Sequence, residues 1–148
     1  MGEIGDPAAT VVKTIVSGLI FARTAFNPFE AIRRLRRLLH DRPYEFRYTL
    51  RIIPIERVAS TDLDEIQHTA IDLASKIQKD ETFRVTVEKR FTELHRQDIV
   101  EVVAAKVERK VDLHKPDKIL LVEIVGELAG VSVIRARDII SVMREKLL

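Results

Sequence analysis

Seven consecutive residues, Ile119-Leu120-Leu121-Val122-Glu123-Ile124-Val125, constrain this chain more than any others, because six of them are branched aliphatics. Apolar side chains that do not alternate with polar ones leave no face for water. The run therefore reads as a strand buried on both sides, which requires packing on each face of its sheet. Pro116-Asp117 stops whatever precedes it, and Gly126 to Gly130 leads into a second strand, Val131 to Ile134, as in an antiparallel hairpin with an irregular turn. Glu123 alone interrupts the run. A carboxylate there either pairs with a cation such as Arg84 or Lys118 or marks the face turned to solvent, and a structural role is the expectation.

The rest of the chain supplies elements to pack around that strand. Met1 to about residue 12 holds two glycines and a proline and reads as a loose tail. Thr14 to Arg23 reads as a strand, with Gly18 as a bulge or close-contact point. Asn27-Pro28-Phe29-Glu30 is a helix start: a capping side chain, a proline at the first helical position and an acid in the first turn. Phe29, Ile32, Leu35, Leu38 and Leu39 line one side of this helix and Arg33, Arg36, Arg37 and His40 another, until Pro43 ends it. Phe46, Tyr48, Leu50 and Ile52 alternate with Arg47, Thr49 and Arg51 as a half-buried strand closed by Pro54. Ser60-Thr61-Asp62 caps a second helix to about Lys79. A strand from Phe83 runs into Lys89 and Arg90, and a third helix carries the stripe Ile99, Val103, Val107, Val111. A closing helix is expected over Ala136 to Leu147, with Ile139, Ile140, Met143 and Leu147 at helical spacing. The order is β-α-β followed by α-β-α-β-β-α, an α+β chain with helices packed on small sheets.

Composition narrows the chemistry. At 148 residues the chain is long enough for a real core, and it has no cysteine, so disulfides, thiolate metal sites and a cysteine nucleophile are excluded. The apolar runs fall short of a membrane span, and the first residues lack the order of a secretion signal, so the expectation is a cytoplasmic protein without membrane contact. The formal net charge of +2 hides an asymmetry: Arg23 to Arg57 contains nine arginines, no lysine and four acids, a local +5. Guanidinium groups grip phosphate oxygens in a forked geometry, so such a cluster attracts phosphate, although charge alone favours a solvated helix face. His40, His68, His95 and His114 share no metal-ligand spacing. His68 lies four residues from Asp64 and from Asp72, which suits a surface hydrogen bond better than catalysis. No phosphate-binding glycine loop is present.

Arg51-Ile52-Ile53-Pro54-Ile55, Phe83-Arg84-Val85, Lys89-Arg90, Arg96 to Ile99 and above all Val111 to Val133 resemble a THUMP domain, with the strongest likeness to stand-alone THUMP proteins that assist tRNA cytidine N4-acetylation. The resemblance implies a partial ferredoxin-like piece, truncated to β-α-β, over residues 13–59, and a THUMP-like RNA-binding module over residues 60–148. After Arg90 the chain departs from the family, with Phe91-Thr92-Glu93-Leu94-His95 where a more polar, Asn-containing run is usual. The implied activity is a non-catalytic adaptor that needs no cofactor or metal and presents folded tRNA, around its acceptor end, to a separate modifying enzyme such as the acetyltransferase.

Structured RNA is recognised by shape, phosphate and 2′-hydroxyl contacts, which ask for spaced cations rather than base-reading groups. The candidates are Arg33, Arg37, Arg47, Arg51, Lys89, Arg90, Arg96, Lys115 and Lys118, expected to converge on one cationic surface. Arg96 gains from a helix N-terminus near Gln97, whose backbone N–H groups favour phosphate. With few aromatics, a stacking platform for single strands is poorly supplied. The alternative is a ferredoxin-like protein-interaction or ligand-sensing domain acting as a homodimer through edge strands.

Overall fold

The apolar run becomes an inner strand of a five-stranded sheet. The computed structural model describes residues 10–13, 20–23, 26–42 and 51–141. They fall into two compact units, residues 1–54 with 137–148, and Ile55–Ala136.

In the first unit, β1 (Thr10–Lys13) and β2 (Ile20–Arg23) pair antiparallel. β1 begins within the stretch read as a tail, and Thr14 to Leu19, including Gly18, lie outside the described residues. Helix α1 (Pro28–Asp41) starts as its residues dictate: the Asn27 side chain accepts a hydrogen bond from the Phe29 N–H at 2.9 Å, and Pro28 needs no donor there. Its face of Ile32, Leu35, Leu38 and Leu39 packs with Ile52 and Ile140. Ile52 belongs to β3 (Arg51–Ile52) and Ile140 to β9 (Ile140–Ser141), which pair antiparallel. The closing helix expected over Ala136 to Leu147 is thus corrected as far as Ser141; its remainder, with Met143 and Leu147, lies outside the described residues. The chain makes one turn of 3-10 helix, Ala136–Asp138, and then β9, because pairing with β3 and burial of Ile140 on α1 outweigh the local helical spacing. The Arg36 guanidinium holds this turn by donating to the carbonyls of Arg137 (2.6 Å) and Ile139 (3.4 Å).

The second unit holds the sheet, whose strand order is β4-β8-β7-β5-β6. β4 (Arg57–Ser60) and β6 (Lys110–Val111) form its edges; β5 (Thr82–Arg90), β7 (Lys118–Val125) and β8 (Leu128–Ile134) lie between. β7 and β8 are the expected hairpin, but β7 runs parallel to β5. Parallel neighbours need a crossover, and α3 (Arg96–Ala104) supplies it. α3 stops well before Val111, which sits in edge strand β6 opposite Phe83 rather than on the helical stripe.

Helix α2 (Leu63–Ala74) opens at Asp62, whose side chain accepts from the N–H groups of Asp64 (2.9 Å) and Glu65 (3.1 Å). Ile66, Ala70 and Leu73 of α2 and Ile99 and Val103 of α3 cover one sheet face, made by Phe83, Val87, Leu120, Val122, Ile124 and Val131. Each such side chain, fully buried, contributes about 1.5–3 kcal/mol, so this layer fixes the sheet on which the rim residues stand. The opposite face of β7 and β8, from Ile119 and Leu121 to Ser132 and Ile134, is buried as well, as the unbroken apolar run requires. Glu123 is on that face at 9% exposure, while Arg84 bonds Thr86 and the Leu113 carbonyl and Lys118 bonds Glu81. Neither of the two expected pairings forms, and burial sets aside the solvent-facing alternative.

Candidate functional site

The register of the sheet sorts the basic residues into two groups. Phe83 stands beside Lys118 at one end of the β5–β7 ladder and Arg90 beside Val125 at the other, seven residues on. At about 3.3 Å per residue the two ends are roughly 23 Å apart. The first end also receives the C-terminus of α2 and the loop from Val111 to Asp117. The second receives the N-termini of α2 and α3. Lys89, Arg90 and Arg96 gather at the second end; Lys115 and Lys118 are at the first. Convergence of all the candidates on one surface is therefore corrected: the unit presents two separate cationic rims, because β5 and β7 are parallel and their starts lie together, away from their ends.

At the rim where β5 and β7 end, successive side chains alternate across the sheet. Lys89 lies in the row of Ile124 and Ala129, on the helix-covered face, and Arg90 in the row of Val125 and Leu128, on the other. The two cations bracket the sheet end. The ladder closes with the Gly126 N–H donating to the Arg90 carbonyl at 2.9 Å, and Gly126 turns with φ 59°. Thr61 pins the same turn, its hydroxyl donating to the Gly126 carbonyl at 2.8 Å and its N–H to the Glu127 carbonyl at 3.1 Å. Next to Arg90, Phe91 takes a left-handed backbone with φ 57° while the residue is 68% exposed. A non-glycine residue in that region costs on the order of 1–2 kcal/mol, and an exposed ring recovers none of it by burial. Thr92 then turns the chain, its hydroxyl accepting from the Leu94 N–H at 3.2 Å, and Leu94 packs on the core.

Arg96 begins α3 and donates from Nε to the Val87 carbonyl at 3.2 Å, which ties the helix start to β5. The N-cap residue His95 offers no side-chain hydrogen bond, unlike Asn27 and Asp62, so the first-turn N–H groups of α3 carry no side-chain cap. Asp98 is the acid in that turn. Neither Lys89, Arg90 nor Arg96 forms an ion pair among the described residues.

At the opposite rim the charges are engaged. Lys118, 13% exposed, pairs with Glu81 at 3.0 Å and donates to the Lys76 carbonyl at 2.9 Å. Arg135 meets the other oxygen of Glu81 at 3.3 Å, and Lys76 pairs with Glu56 at 2.6 Å. Glu56 also accepts from the Ser132 hydroxyl and the Val133 N–H. The Gln78 backbone N–H, then Lys118 and Arg135, hold the Glu81 carboxyl below the usual carboxylate range. Asp112 is lowered by the N–H groups of Lys115 and His114, both 3.0 Å from its Oδ1. Lys115 thus sits in a turn organised by Asp112, with its own side chain exposed. Arg109, partly buried, donates to the carbonyls of Ile77 and Gln78.

The remaining candidates belong to the first unit. Arg33 and Arg37 lie one turn apart on the exposed side of α1; Arg33 is bound to Glu30, whose carboxyl is lowered by Arg33 and then Arg34. Arg34 also lies 4.3 Å from the centre of the Phe26 ring. Arg37 makes no ion pair among the described residues, and Arg51 is exposed on β3. Arg47 lies outside the described residues. His68 is 80% exposed, 4.0 Å from Asp72, which also meets Arg57 at 3.2 Å: a surface pair, as its spacing suggested. Among the described residues no group of three or more histidines and acids is placed to hold a metal, and no helix is long and apolar enough to cross a membrane. Sequence reasoning passed over Phe91 as a site residue; an apolar residue directly after Lys-Arg at a strand end was its one visible signal.

Comparison with known proteins bears on the fold. The chain shares its fold with PH1313 from Pyrococcus horikoshii (19% identity, TM-score 0.61, covering 86% of this chain and 43% of that one). TrmN from Thermus thermophilus is similar over 77% of this chain and 34% of its own, at 14% identity and TM-score 0.50. The chain thus spans less than half the length of either structure. No curated protein matches it by sequence. The THUMP domain model matches residues 60–134, half of the chain and all the elements from α2 to β8. The chain belongs to the THUMP domain family.

Proposed function

We propose that this chain is a non-catalytic, cytoplasmic tRNA-binding adaptor that holds folded tRNA for a separate modifying enzyme, with a cytidine N4-acetyltransferase as the first candidate. THUMP domains are RNA-binding modules connected with tRNA modification. The observation that carries the reading is the rim of this THUMP fold where, among the described residues, Lys89, Arg90 and Arg96 form no ion pair and α3 starts without a side-chain cap. Cations without internal partners are the ones able to exchange counterions for phosphates, and helix N–H groups add donors for phosphate oxygens. The His68 pair, the single catalytic candidate from the sequence, is a surface contact with Asp72 and Arg57 nearby, which supports a binding rather than a chemical role.

The test is a gel shift of the purified protein with whole tRNA and with a plain RNA hairpin over a salt series. The expected result is a complex with tRNA whose affinity falls steeply as salt rises, with several counterions released. The adaptor step is read by adding the protein to the acetyltransferase and tRNA and finding faster cytidine acetylation. No shift with either RNA at low salt removes the reading.

A further inference from the structure

We propose that Phe91 is a stacking post for an unpaired nucleobase, so that this rim takes RNA in which a single-stranded nucleotide adjoins a duplex. The inference rests on the RNA-binding reading above and deepens it. Among the described residues Phe83 is in the core and Phe26 lies under Arg34, whereas Phe91 is 68% exposed. Its backbone is held at φ 57°, a conformation that glycine or asparagine adopts at less cost. Neither burial nor backbone preference accounts for phenylalanine at this position. The residue is also fixed: the Arg90 carbonyl before it accepts from Gly126, and the turn after it is closed by Thr92 and anchored by Leu94.

An exposed ring on an anchored stretch of backbone has a π-face for any base, and stacking needs no particular sequence. What surrounds the ring selects the ligand. Lys89 and Arg90 flank it from the two sheet faces, and Arg96 begins the helix five residues on, so phosphates on either side of a splayed nucleotide find cations while its base lies on the ring. In a continuous duplex the bases are stacked on one another and show the protein no free face. The rim therefore discriminates by the presence of an unpaired nucleotide.

The test uses the whole protein and fluorescence anisotropy with three labelled RNAs at one salt concentration: a blunt duplex, the same duplex with a short 3′ overhang, and a hairpin with an unpaired loop. The wild-type protein is expected to prefer one or both RNAs with unpaired nucleotides, and comparing the two tells whether end or loop supplies the base. Phe91→Asn accepts the left-handed backbone but lacks the ring. It is expected to lose about 5- to 150-fold on the preferred RNA, the range spanned by base–aromatic stacking, and to keep its blunt-duplex affinity, while Phe91→Trp keeps the preference. The melting temperature of Phe91→Asn should be unchanged or raised; a marked fall would make the ring structural and overturn the proposal. Equal wild-type binding to all three RNAs, or a preference intact in Phe91→Asn, overturns it and leaves RNA binding standing, with the ring then an anchor for a protein. Absence of binding to all three defeats both readings.

Discussion

The two ends of the five-stranded sheet carry similar basic residues in opposite circumstances. Where β5 and β7 begin, Lys118 and Arg135 share Glu81, Lys76 meets Glu56, and Arg109 caps the carbonyls of Ile77 and Gln78. Where β5 and β7 end, Lys89 and Arg90 form no ion pair among the described residues, Arg96 reaches one carbonyl, and Phe91 is held exposed in a costly conformation. One rim commits Lys118, Arg135, Lys76 and Arg109 to internal partners; the other leaves Lys89 and Arg90 without an ion pair among the described residues. Counting lysines and arginines along the chain cannot separate the two roles, because commitment depends on which carboxylates and carbonyls the topology brings near.

This contrast can be broken in three ways. Lys118→Glu should have the largest effect: it sets a second carboxylate against that of Glu81 in a nearly buried place, and the melting temperature should fall by several degrees while the protein that remains folded binds RNA as before. An unchanged melting temperature would show that the engaged rim is ornamental. Acid should act on the same rim. Glu81 and Asp112 have lowered pKa values in the folded protein, so their contribution is complete above the ordinary carboxylate value and is lost as pH falls through the lower, folded value. Unfolding by urea should therefore be constant from pH 7 to about 5 and become easier below about pH 4. Glu81→Gln should flatten that decline, and a curve identical to wild type would count against the assignment. The smallest effect belongs to the other rim: Phe91→Asn should stabilise by on the order of 0.5 kcal/mol through relief of the left-handed backbone. A loss of stability would mean that the ring packs on something.

Much of the fold was legible in local residues. Asn27 and Asp62 announce their helices through chemistry confined to three residues, and the run from Ile119 to Val125 could be nothing but a doubly buried strand. What escaped depends on partners far along the chain. β6 is two residues long and exists because Phe83 receives it; the Phe83 carbonyl accepts from the Asp112 N–H at 3.0 Å, and no periodicity marks so short a strand. β4, Arg57–Ser60, follows Pro54 closely and looks like a connection until β8 pairs with it. Ile139 and Ile140 suit a helix by spacing, yet β3, nearly ninety residues earlier, turns Ile140 into a strand residue. The parallel direction of β5 and β7 was equally hidden, and it is what divides Lys89, Arg90 and Arg96 from Lys115 and Lys118. Among the rim residues, Lys89, Arg90 and Arg96 were picked out as candidates from charge and position. Phe91 was not, since the sign of φ is invisible in a single sequence.

The most direct measurement is the salt dependence of tRNA affinity for the wild-type protein and two double variants, Lys89→Glu/Arg90→Glu where β5 and β7 end and Lys79→Glu/Lys110→Glu, exposed lysines where they begin, each checked for folding by circular dichroism. The Lys89→Glu/Arg90→Glu variant should lose at least about tenfold in affinity at low salt, with a slope of log affinity against log salt shallower by about two, while the other variant keeps the wild-type slope. Equal losses in both variants, or a slope untouched by removing Lys89 and Arg90, would contradict the division of labour between the two rims.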